Sequence, residues 1–284
     1  GTRAYAPAWS PDGATLAFAF FFPTPDPALA WLQVGMICGL DRATGKGRIL
    51  AKAEFPESLE EASWAPDGRS LLLTRLRHQF NERNEFVSTA TGVARYDLAT
   101  GALTPLVDDA IRPALSPDGA LLAFIQLDDA SGTVERRLMV AGADGSQPKL
   151  LLDQRTNHWM LDAPRWSPDS ARLIVTASVR QQARAGDPPG GAPPAWWERW
   201  LGPATAEAHG DPSHLWLINA DGSGLRQVTA LPLDDPHAAW APDGQRIAYV
   251  TTLGSVRLLD LGSKQETQLS PPGLAGLIDW NWTP

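Results

Sequence analysis

The sequence predicts an all-β fold, a β-propeller of four-stranded antiparallel blades that occupies residues 1–284 as one domain. Two observations predict it. A W-[SA]-P-D-G phrase followed by a short apolar run recurs along the chain, and a second turn phrase follows the first in every repeat. Nothing between the phrases has the 3.6-residue periodicity of an amphipathic helix. The pattern therefore indicates repeated β-sheet units.

The first phrase sets the length of the repeat. It begins at Trp9, Trp64, Leu115, Trp166 and Trp240, and a fragment of it ends the chain at Trp282 to Pro284. The spacings are 64 − 9 = 55, 115 − 64 = 51, 166 − 115 = 51, 240 − 166 = 74 and 282 − 240 = 42 residues. A propeller blade needs about 40 to 50 residues. The shortest spacing is therefore the bare unit, and the fourth unit carries the largest insertion, at about 180–213.

Each unit contains two hairpins. In the first phrase, Pro presets φ, Asp bonds nearby backbone and Gly accepts positive φ, so the phrase predicts a tight turn between two strands. The second phrase, another hairpin, lies at 39–46, 95–102, 140–147, 218–225 and 258–265. Five complete units and one terminal strand result, and the choice between five and six blades stays open.

The repeated residues have structural interpretations. The Trp before each turn is expected to fill the space between neighbouring blades. The repeated aspartates are expected to be turn residues, separated around a ring, and not a catalytic or metal-binding cluster: Asp12, Asp67, Asp118, Asp169 and Asp243. The segments 142–147 and 219–224 lack the full pattern of a calcium loop and are predicted to be hairpin turns.

The phrase W-[SA]-P-D-G-x-x-[LI]-[AL]-[FYL] resembles the propeller repeats of the TolB-like family of bacterial cell-envelope proteins, and the resemblance covers nearly the whole chain. It implies a propeller fold, an extracytoplasmic location in the periplasm or at the outer cell surface, and a protein-binding role. Propellers with this repeat also occur as non-catalytic domains beside peptidases. No G-x-S-x-G segment of an α/β-hydrolase is present in the sequence.

Composition and motifs limit the classes of partner and cofactor that the chain is expected to bind. The net charge of −8 disfavours nucleic acid. No apolar stretch approaches the roughly 20 residues of a membrane span, so membrane association is expected only through a partner or an anchor. Whether a signal peptide or lipid anchor precedes Gly1 stays open. Cys38 is the single cysteine, and the sequence has no cofactor motif and no defensible set of metal ligands.

Three insertions depart from the repeat, and each lies between the second and third strands of its unit. We expect them to share one rim of the ring and to supply aromatic anchors to a partner: Trp31, Phe80, Phe86, Trp196, Trp197 and Trp200. The alternatives for the fourth-unit tryptophans are a satellite core and a small-ligand pocket. His209, Asp211 and His214 have metal-binding side chains but match no metal motif, so a solvated loop is favoured.

The sequence thus predicts a non-enzymatic propeller that docks onto a membrane-associated protein complex as an accessory subunit or scaffold. Two alternatives stay open. One is an enzyme acting on glycans or peptides in the central channel, which a cluster of charged and histidine side chains at the channel mouth would favour. The other is a small-ligand-binding module with exposed tryptophans along a groove.

Overall fold

The computed structural model describes residues 3–24, 29, 32–129, 134–156, 158–179, 213–229, 233, 237–251, 253–272 and 279. These residues form five four-stranded antiparallel sheets, each with the strand order first, second, third, fourth. The predicted all-β propeller is confirmed. No helix in the described part of the chain has the length and apolarity needed to cross a bilayer.

Blades 1 to 3 follow one another along the chain with short connections. Their strands are β1 (Arg3–Trp9), β2 (Thr15–Pro23), β3 (Gln33–Asp41) and β4 (Gly47–Ala51); β5 (Glu57–Trp64), β6 (Ser70–Phe80), β7 (Phe86–Asp97) and β8 (Leu103–Asp108); and β9 (Ala110–Leu115), β10 (Leu121–Asp128), β11 (Glu135–Gly142) and β12 (Lys149–Leu152).

Blades 4 and 5 repeat the same arrangement. Their strands are β13 (His158–Trp166), β14 (Arg172–Val179), β15 (Ser213–Asn219) and β16 (Arg226–Gln227); and β17 (Ala238–Trp240), β18 (Arg246–Val250), β19 (Val256–Asp260) and β20 (Glu266–Gln268). A single turn of 3₁₀-helix, Gln154–Thr156, precedes blade 4. The second and third strands of blade 2 are the longest, at 11 and 12 residues, and they extend one hairpin beyond the others.

The first strands pack side by side in one direction and line the axis of the ring. The indole Nε1 of Trp64 donates to the carbonyl of Ala8 at 3.0 Å, and that of Trp166 donates to Ala114 at 2.9 Å. Trp240 repeats this bond to Arg165 at 3.1 Å. Because each bond joins equivalent positions of neighbouring blades, the first strands are in register. The space that β1, β5, β9, β13 and β17 enclose is called the central channel below.

This register gives the ring two distinct faces. The Pro-Asp-Gly turns all emerge on one of them, called the turn face, where Gly119 of blade 3 lies beside Pro66 of blade 2. The hairpins between second and third strands emerge on the opposite one, called the hairpin face. The bases of the three predicted insertions therefore share the hairpin face, because all three leave their blades between these two strands.

The hydrophobic core consists of clusters between neighbouring sheets. Trp166 is packed among apolar residues of blades 3 and 4, and Trp240 among those of blades 4 and 5. Trp64 packs against the cluster between blades 1 and 2. The predicted role of the repeated tryptophan is confirmed at these three positions. Burying a large aromatic ring there stabilises the contact between blades by about 2–3 kcal/mol per ring.

The repeated aspartates are turn residues, as predicted. Asp118 Oδ1 accepts hydrogen bonds from the Ser116 hydroxyl at 2.5 Å and from the Ala120 amide at 3.0 Å, and Asp12 and Asp169 make the equivalent pairs of bonds. The predicted hairpin turns are confirmed too, since Asp144 and Asp221 each accept a bond from the amide two residues on.

Five complete blades are described, and one residue of the terminal segment is placed beside them. The carboxylate of Asp279 accepts a hydrogen bond from the Trp9 amide at 2.7 Å, next to the end of β1. Asp279 lies three residues before Trp282. Trp282 and the rest of 273–284, and the insertion at 180–212, lie outside the described residues.

Candidate functional site

The first strands of blades 1 to 4 are irregular at one equivalent position, three residues before the last residue of the strand. The residues there have positive φ in four blades: Ala6 (54°), Glu61 (56°), Arg112 (58°) and Ala163 (48°). The pairing of the first and second strands shifts register at the same place. Such bulges re-aim side chains and are frequent beside functional sites. The same position relative to Trp240 and Trp282 is occupied by His237 and Asp279.

Arg112 joins three blades through two carboxylates. Its guanidinium lies 2.5 Å from Glu61 Oε1 of blade 2 and 2.6 Å from Asp162 Oδ1 of blade 4. The Arg112 amide donates to the Thr74 hydroxyl, which in turn donates to Glu61 at 2.9 Å. Burial alone would lower the pKa of Arg112, but Glu61 and Asp162 raise it above its ordinary value. This guanidinium is fully used in holding the blades together.

A second carboxyl group in the channel titrates near neutral pH. Glu60 accepts a hydrogen bond from the Tyr5 hydroxyl of the neighbouring blade at 3.0 Å. Burial, together with the charge of Glu61, raises the pKa of Glu60 to about 7, although the Tyr5 hydroxyl and Arg112 act in the opposite direction. Burial also raises the pKa of Tyr5 above its ordinary value. Glu60 is thus partly protonated at neutral pH.

Arg165 and His237 lie in the same channel with few partners. The guanidinium of Arg165 donates to the Pro164 carbonyl at 3.2 Å and forms no ion pair with a carboxylate of the described residues. His237 is 7% exposed, and its Nδ1 atom has no hydrogen-bond partner among the residues described. Burial lowers the pKa of Arg165 and brings the pKa of His237 to about 4. His237 is therefore neutral at pH 7.

These groups form one electrostatic unit. The charges of Asp162, Arg112 and Arg165 all act on the pKa of His237, and Asp279 raises the pKa of Arg165. Within the described ranges, no group of three histidine, cysteine or acidic side chains has the arrangement of a metal site. The cluster can bind a charged group, and Glu60 can exchange a proton near neutral pH.

A patch of aromatic side chains occupies the hairpin face of blade 2. Phe80 and Phe86 face each other across the extended hairpin, with ring centroids 6.0 Å apart and planes at 76°. Phe55, just before β5, lies 5.6 Å from Phe80 and is 39% exposed. His78 lies beneath, with its Nδ1 atom 2.9 Å from the Thr89 hydroxyl. We call Phe55, Phe80, Phe86 and the adjacent Val87 the aromatic patch.

Other exposed apolar side chains lie on the same face. Val134 precedes β11, Met160 is near the start of β13, and Leu253 lies in the turn between β18 and β19. Each of these positions is at the hairpin end of its blade. Exposed apolar groups from blades 2, 3, 4 and 5 therefore share one face of the ring.

The outcome for the predicted site residues is divided. The structure brings Phe80 and Phe86 together, whereas Trp31, Trp196, Trp197 and Trp200 lie outside the described residues, as do His209 and Asp211. The ring of His214, the remaining member of the histidine-containing segment, lies 3.0 Å from the amide nitrogen of Gln227.

Sequence reasoning missed the channel cluster. His237 directly precedes β17, and the charges of Asp162, Arg112 and Arg165 act on it. The signal was available: alignment of the repeats on the tryptophan places Glu61, Arg112, His237 and Asp279 at one position, three residues earlier. Polar residues at this position of blades 2, 3 and 5 and of the terminal segment indicate a polar channel.

Comparison with solved structures identifies the architecture. The structure matches TolB from Acinetobacter baumannii with a TM-score of 0.63 at 17% identity, over 98% of this chain and 57% of that one. This chain has a TolB-like β-propeller fold. The same TolB-like fold matches an oligogalacturonate lyase in complex with manganese, with a TM-score of 0.56 at 13% identity, over 94% of this chain and 77% of the lyase. At these identities the comparisons establish the fold alone.

Sequence relatives of this TolB-like propeller include an enzyme by name. An uncharacterized peptidase, YuxL of Bacillus subtilis, is 24% identical over an alignment of 208 positions that covers 69% of this chain and 30% of that protein. The propeller thus spans under a third of this relative and 57% of the A. baumannii TolB chain. No protein-family model matches the chain.

Proposed function

We propose that this chain is a protein-binding propeller that docks onto its partner through the hairpin face, with the aromatic patch as the central anchor. The observation that carries the proposal is the aromatic patch itself: at the end of the longest hairpin, the ring of Phe80 contacts both Phe86 across the hairpin and Phe55 from the loop before β5. Aromatic anchors surrounded by smaller apolar groups are typical of binding hot spots.

The surroundings of the patch support a rigid mode of display. Glu57 at the base of the hairpin pairs with both Arg75 and Arg77 on β6. These ion pairs join β5 to β6 next to the aromatic patch. Within the patch, the rings support one another through the contacts of Phe80 with Phe55 and Phe86. A rigid anchor loses little conformational entropy when it binds, so more of the buried apolar area contributes to affinity.

The proposal extends to the insertions of blades 1 and 4. Trp31 belongs to the blade adjacent to the aromatic patch, and the tryptophans at 196, 197 and 200 belong to a blade two positions further round the ring. Both insertions leave the ring on the hairpin face. We propose that they enlarge the docking surface, which would explain why the departures from the repeat are rich in aromatic residues.

The cell-envelope family that the repeats resemble supports an extracytoplasmic location and a membrane-associated complex as the partner. The likeness to TolB, named in the comparison above, supports the same location. The proposed role is that of an accessory subunit or scaffold in which the blades hold the hairpin face rigid and the partner supplies the complementary apolar surface.

The test is affinity capture from membranes of cells that make the protein naturally, with quantitative mass spectrometry. Native protein is compared with Phe80→Ser/Phe86→Ser and with the control Leu40→Ser/Leu150→Ser, whose leucines are 38% and 40% exposed near the turn face. We expect the native and control proteins to retain one partner, and the phenylalanine variant to bind it about 100-fold more weakly.

A second variant controls for the possibility that the double phenylalanine substitution misfolds the hairpin. Val87→Asp changes a side chain that is 60% exposed and leaves the phenylalanine contacts in place. It is expected to weaken capture of the same partner because it introduces an unpaired charge into an apolar contact. Equal capture by all four proteins would show that the hairpin face is not the docking surface.

The channel cluster favours a second candidate, an enzyme acting on peptides or glycans in the channel. Glu60, with a pKa of about 7 and the Tyr5 hydroxyl as neighbour, is the described side chain best suited to proton transfer. Turnover of a peptide or glycan library by the native protein, lost in Glu60→Gln, would establish this candidate. Absence of turnover together with partner capture would support docking.

A further inference from the structure

The extended hairpin of blade 2 carries a strand edge that no described strand covers. β8 pairs with β7 from Gly92 to Tyr96, so Val87–Thr91 has β6 on one side and no described strand on the other. We call Val87–Thr91 the open edge. Where β8 ends, a cavity of about 110 Å³ is lined by Thr91 of β7 and Asp108 of β8. A strand edge of this kind presents backbone donors and acceptors to other chains.

Two hydrogen bonds show which backbone groups face outward along the open edge. The Asp109 amide donates to the Thr91 carbonyl at 2.9 Å, so this carbonyl points away from β6. The His78 amide, opposite Thr89 in the ladder, donates to the Pro56 carbonyl at 2.9 Å and so points away from β7. In an antiparallel pair, the facing residue then directs its own backbone groups away as well. The N–H and C=O groups of Thr89 therefore point outward.

The open edge lacks the protection that the outer strand of every blade has. Charges, prolines and short length prevent strand edges from pairing with other chains. The outer strands have these features: Arg48 in β4, Pro105 in β8, Lys149 in β12, Arg226 in the two-residue β16 and Glu266 in the three-residue β20. The open edge reads Val-Ser-Thr-Ala-Thr, with no charge and no proline, and a β-bulge lies at its tip, between Gln79 and Phe80 of the facing strand. Its valine and threonines favour strand pairing.

The two faces of the open edge favour different side chains on an added strand. On one face, the Thr89 hydroxyl lies 2.9 Å from Nδ1 of His78, whose ring is 6.3 Å from that of Phe86 in the aromatic patch. On the other face, the Ser88 hydroxyl donates to Gln79 Oε1 at 2.8 Å. Successive residues of a strand point to opposite faces. An added strand therefore places alternate apolar side chains beside the aromatic patch and polar ones beside Ser88.

Charges at the two ends of the open edge distinguish a partner strand from a second copy of this chain. The exposed residues Glu82 and Glu85, with Arg83 between them, lie in the turn before the open edge. Asp108 and Asp109, also exposed, lie at its other end. If two open edges paired antiparallel, the glutamates of one copy would approach the aspartates of the other, and like charges oppose pairing. A strand with a basic residue at each end complements both acidic pairs.

We propose that the open edge binds an extended segment of the partner by β-strand addition, and that this segment has alternating apolar residues and a basic residue at each end. The inference rests on the proposed docking function and specifies what docks. The backbone of the segment bonds to Thr89, and its apolar side chains contact the aromatic patch. In this mode of recognition, backbone hydrogen bonds supply affinity and alternate side chains supply specificity.

The test is an NMR titration of the isotope-labelled full chain at low salt with the capped peptide Lys-Val-Thr-Val-Thr-Val-Lys. One control peptide has glutamate at both ends, and another has a methyl group on every valine and threonine amide. We expect the lysine peptide to shift the signals of Val87–Thr91 and to slow hydrogen exchange of the Thr89 amide about fivefold or more. The glutamate peptide is expected to bind about threefold more weakly, and the methylated peptide about tenfold or more.

Matched variants isolate the backbone of Thr89. Thr89→Pro and Thr89→Ala both remove the hydroxyl beside His78, but only the proline removes the amide donor. Because this amide points away from β6, the proline breaks no bond of the β6–β7 ladder. We expect the proline variant to lose about tenfold in peptide affinity and the alanine variant less than about threefold. If the proline distorts the hairpin, an ester in place of the Thr89 amide removes the same donor without fixing φ.

Three results overturn the proposal: unchanged signals of Val87–Thr91 with the lysine peptide, equal binding of the methylated peptide, or equal affinities of Thr89→Pro and Thr89→Ala. A dimer in solution that Thr89→Pro dissociates would identify a second copy as the occupant and would also overturn it. Capture from membranes judges docking separately. A partner retained by Thr89→Pro and lost by Phe80→Ser/Phe86→Ser supports docking and contradicts strand addition, whereas absence of a partner on the native protein contradicts docking whatever the peptides do.

Discussion

The two faces of the propeller differ in what determines their side chains. On the turn face, the same short phrase recurs, and in every blade its aspartate accepts a hydrogen bond from the amide two residues on. On the hairpin face, the loops differ in length and composition, and exposed apolar groups such as Phe55, Val87 and Leu253 accumulate. The repeated phrase therefore accounts for the side chains of the turn face, whereas it does not account for those of the hairpin loops.

The difference between the faces distinguishes side chains that serve the fold from side chains that are candidates for function. The turn aspartate recurs in all five blades and the tryptophan in four, with Leu115 in its place in blade 3, because every blade must pack against the next. Side chains that one blade alone carries have no such structural reason. The channel lies between these extremes, since its bulge is repeated in backbone geometry while its side chains change from blade to blade.

The largest expected effect is the loss of a tryptophan that packs between blades. Trp166→Ala removes a buried ring and the hydrogen bond to Ala114, so it is expected to lower the free energy of unfolding by about 3–5 kcal/mol. Val87→Ala, on the exposed hairpin face, is expected to change it by less than about 0.5 kcal/mol. Urea unfolding followed by tryptophan fluorescence and circular dichroism measures both. Similar losses in the two variants would remove the distinction between the faces.

An intermediate effect is expected in the channel. The pKa of Glu60 is about 7 in the folded protein and about 4.5 in an unfolded chain, so the folded state holds the proton more tightly. The stability contributed by this proton is present below pH 4.5 and is lost as the pH rises through 7. Glu60→Gln is therefore expected to raise the free energy of unfolding by about 1–3 kcal/mol at pH 8 and to leave it nearly unchanged at pH 4.

His237 has the opposite effect on how stability depends on pH, between about pH 4 and pH 6.5. Its pKa falls from 6.5 to about 4 in the folded protein, so stability is lost as the pH falls through this window. The comparison of native protein with Glu60→Gln isolates the carboxyl group, because His237 is present in both. A stability difference that is the same at pH 4 and pH 8 would contradict a protonated Glu60.

The smallest expected effect concerns a single turn on the turn face. Asp118→Ala removes the acceptor of the Ser116 and Ala120 bonds and is expected to lower the free energy of unfolding by about 1 kcal/mol. Glu82→Ala, an exposed acidic residue in the turn of the extended hairpin, serves as the control with a change near zero. Thermal unfolding at neutral pH measures both. A loss in the control as large as that in Asp118→Ala would show that net charge, and not the turn, is responsible.

The sequence predicts the fold well because the fold is repetitive. Trp64, Trp166 and Trp240 end the first strands of blades 2, 4 and 5, so one interpretation of their role applies three times, and the structure confirms it each time. The extra length of the second-unit hairpin, which carries Phe80 and Phe86, was also visible in the sequence, whereas the contact between the two rings is a finding of the structure.

The channel could not be predicted in the same way, because its geometry depends on strands that are distant in sequence. Arg112 contacts Glu61 and Asp162, which lie 51 and 50 residues away. Only the closure of neighbouring blades brings them together. The bulge adds a second obstacle, since a single residue in the left-handed region at Glu61 or Arg112 changes the direction of the side chain without altering the apolar pattern.

The most direct test of the two-face account is site-specific photo-cross-linking in cells that make the protein naturally. A photoreactive residue replaces Val87 on the hairpin face or, as the control, Leu150 near the turn face, and both side chains are exposed. The account predicts a discrete protein adduct from Val87, diminished when Phe80→Ser/Phe86→Ser is combined with it, and none from Leu150. An adduct from Leu150 alone, or equal adducts from both positions, would contradict the account.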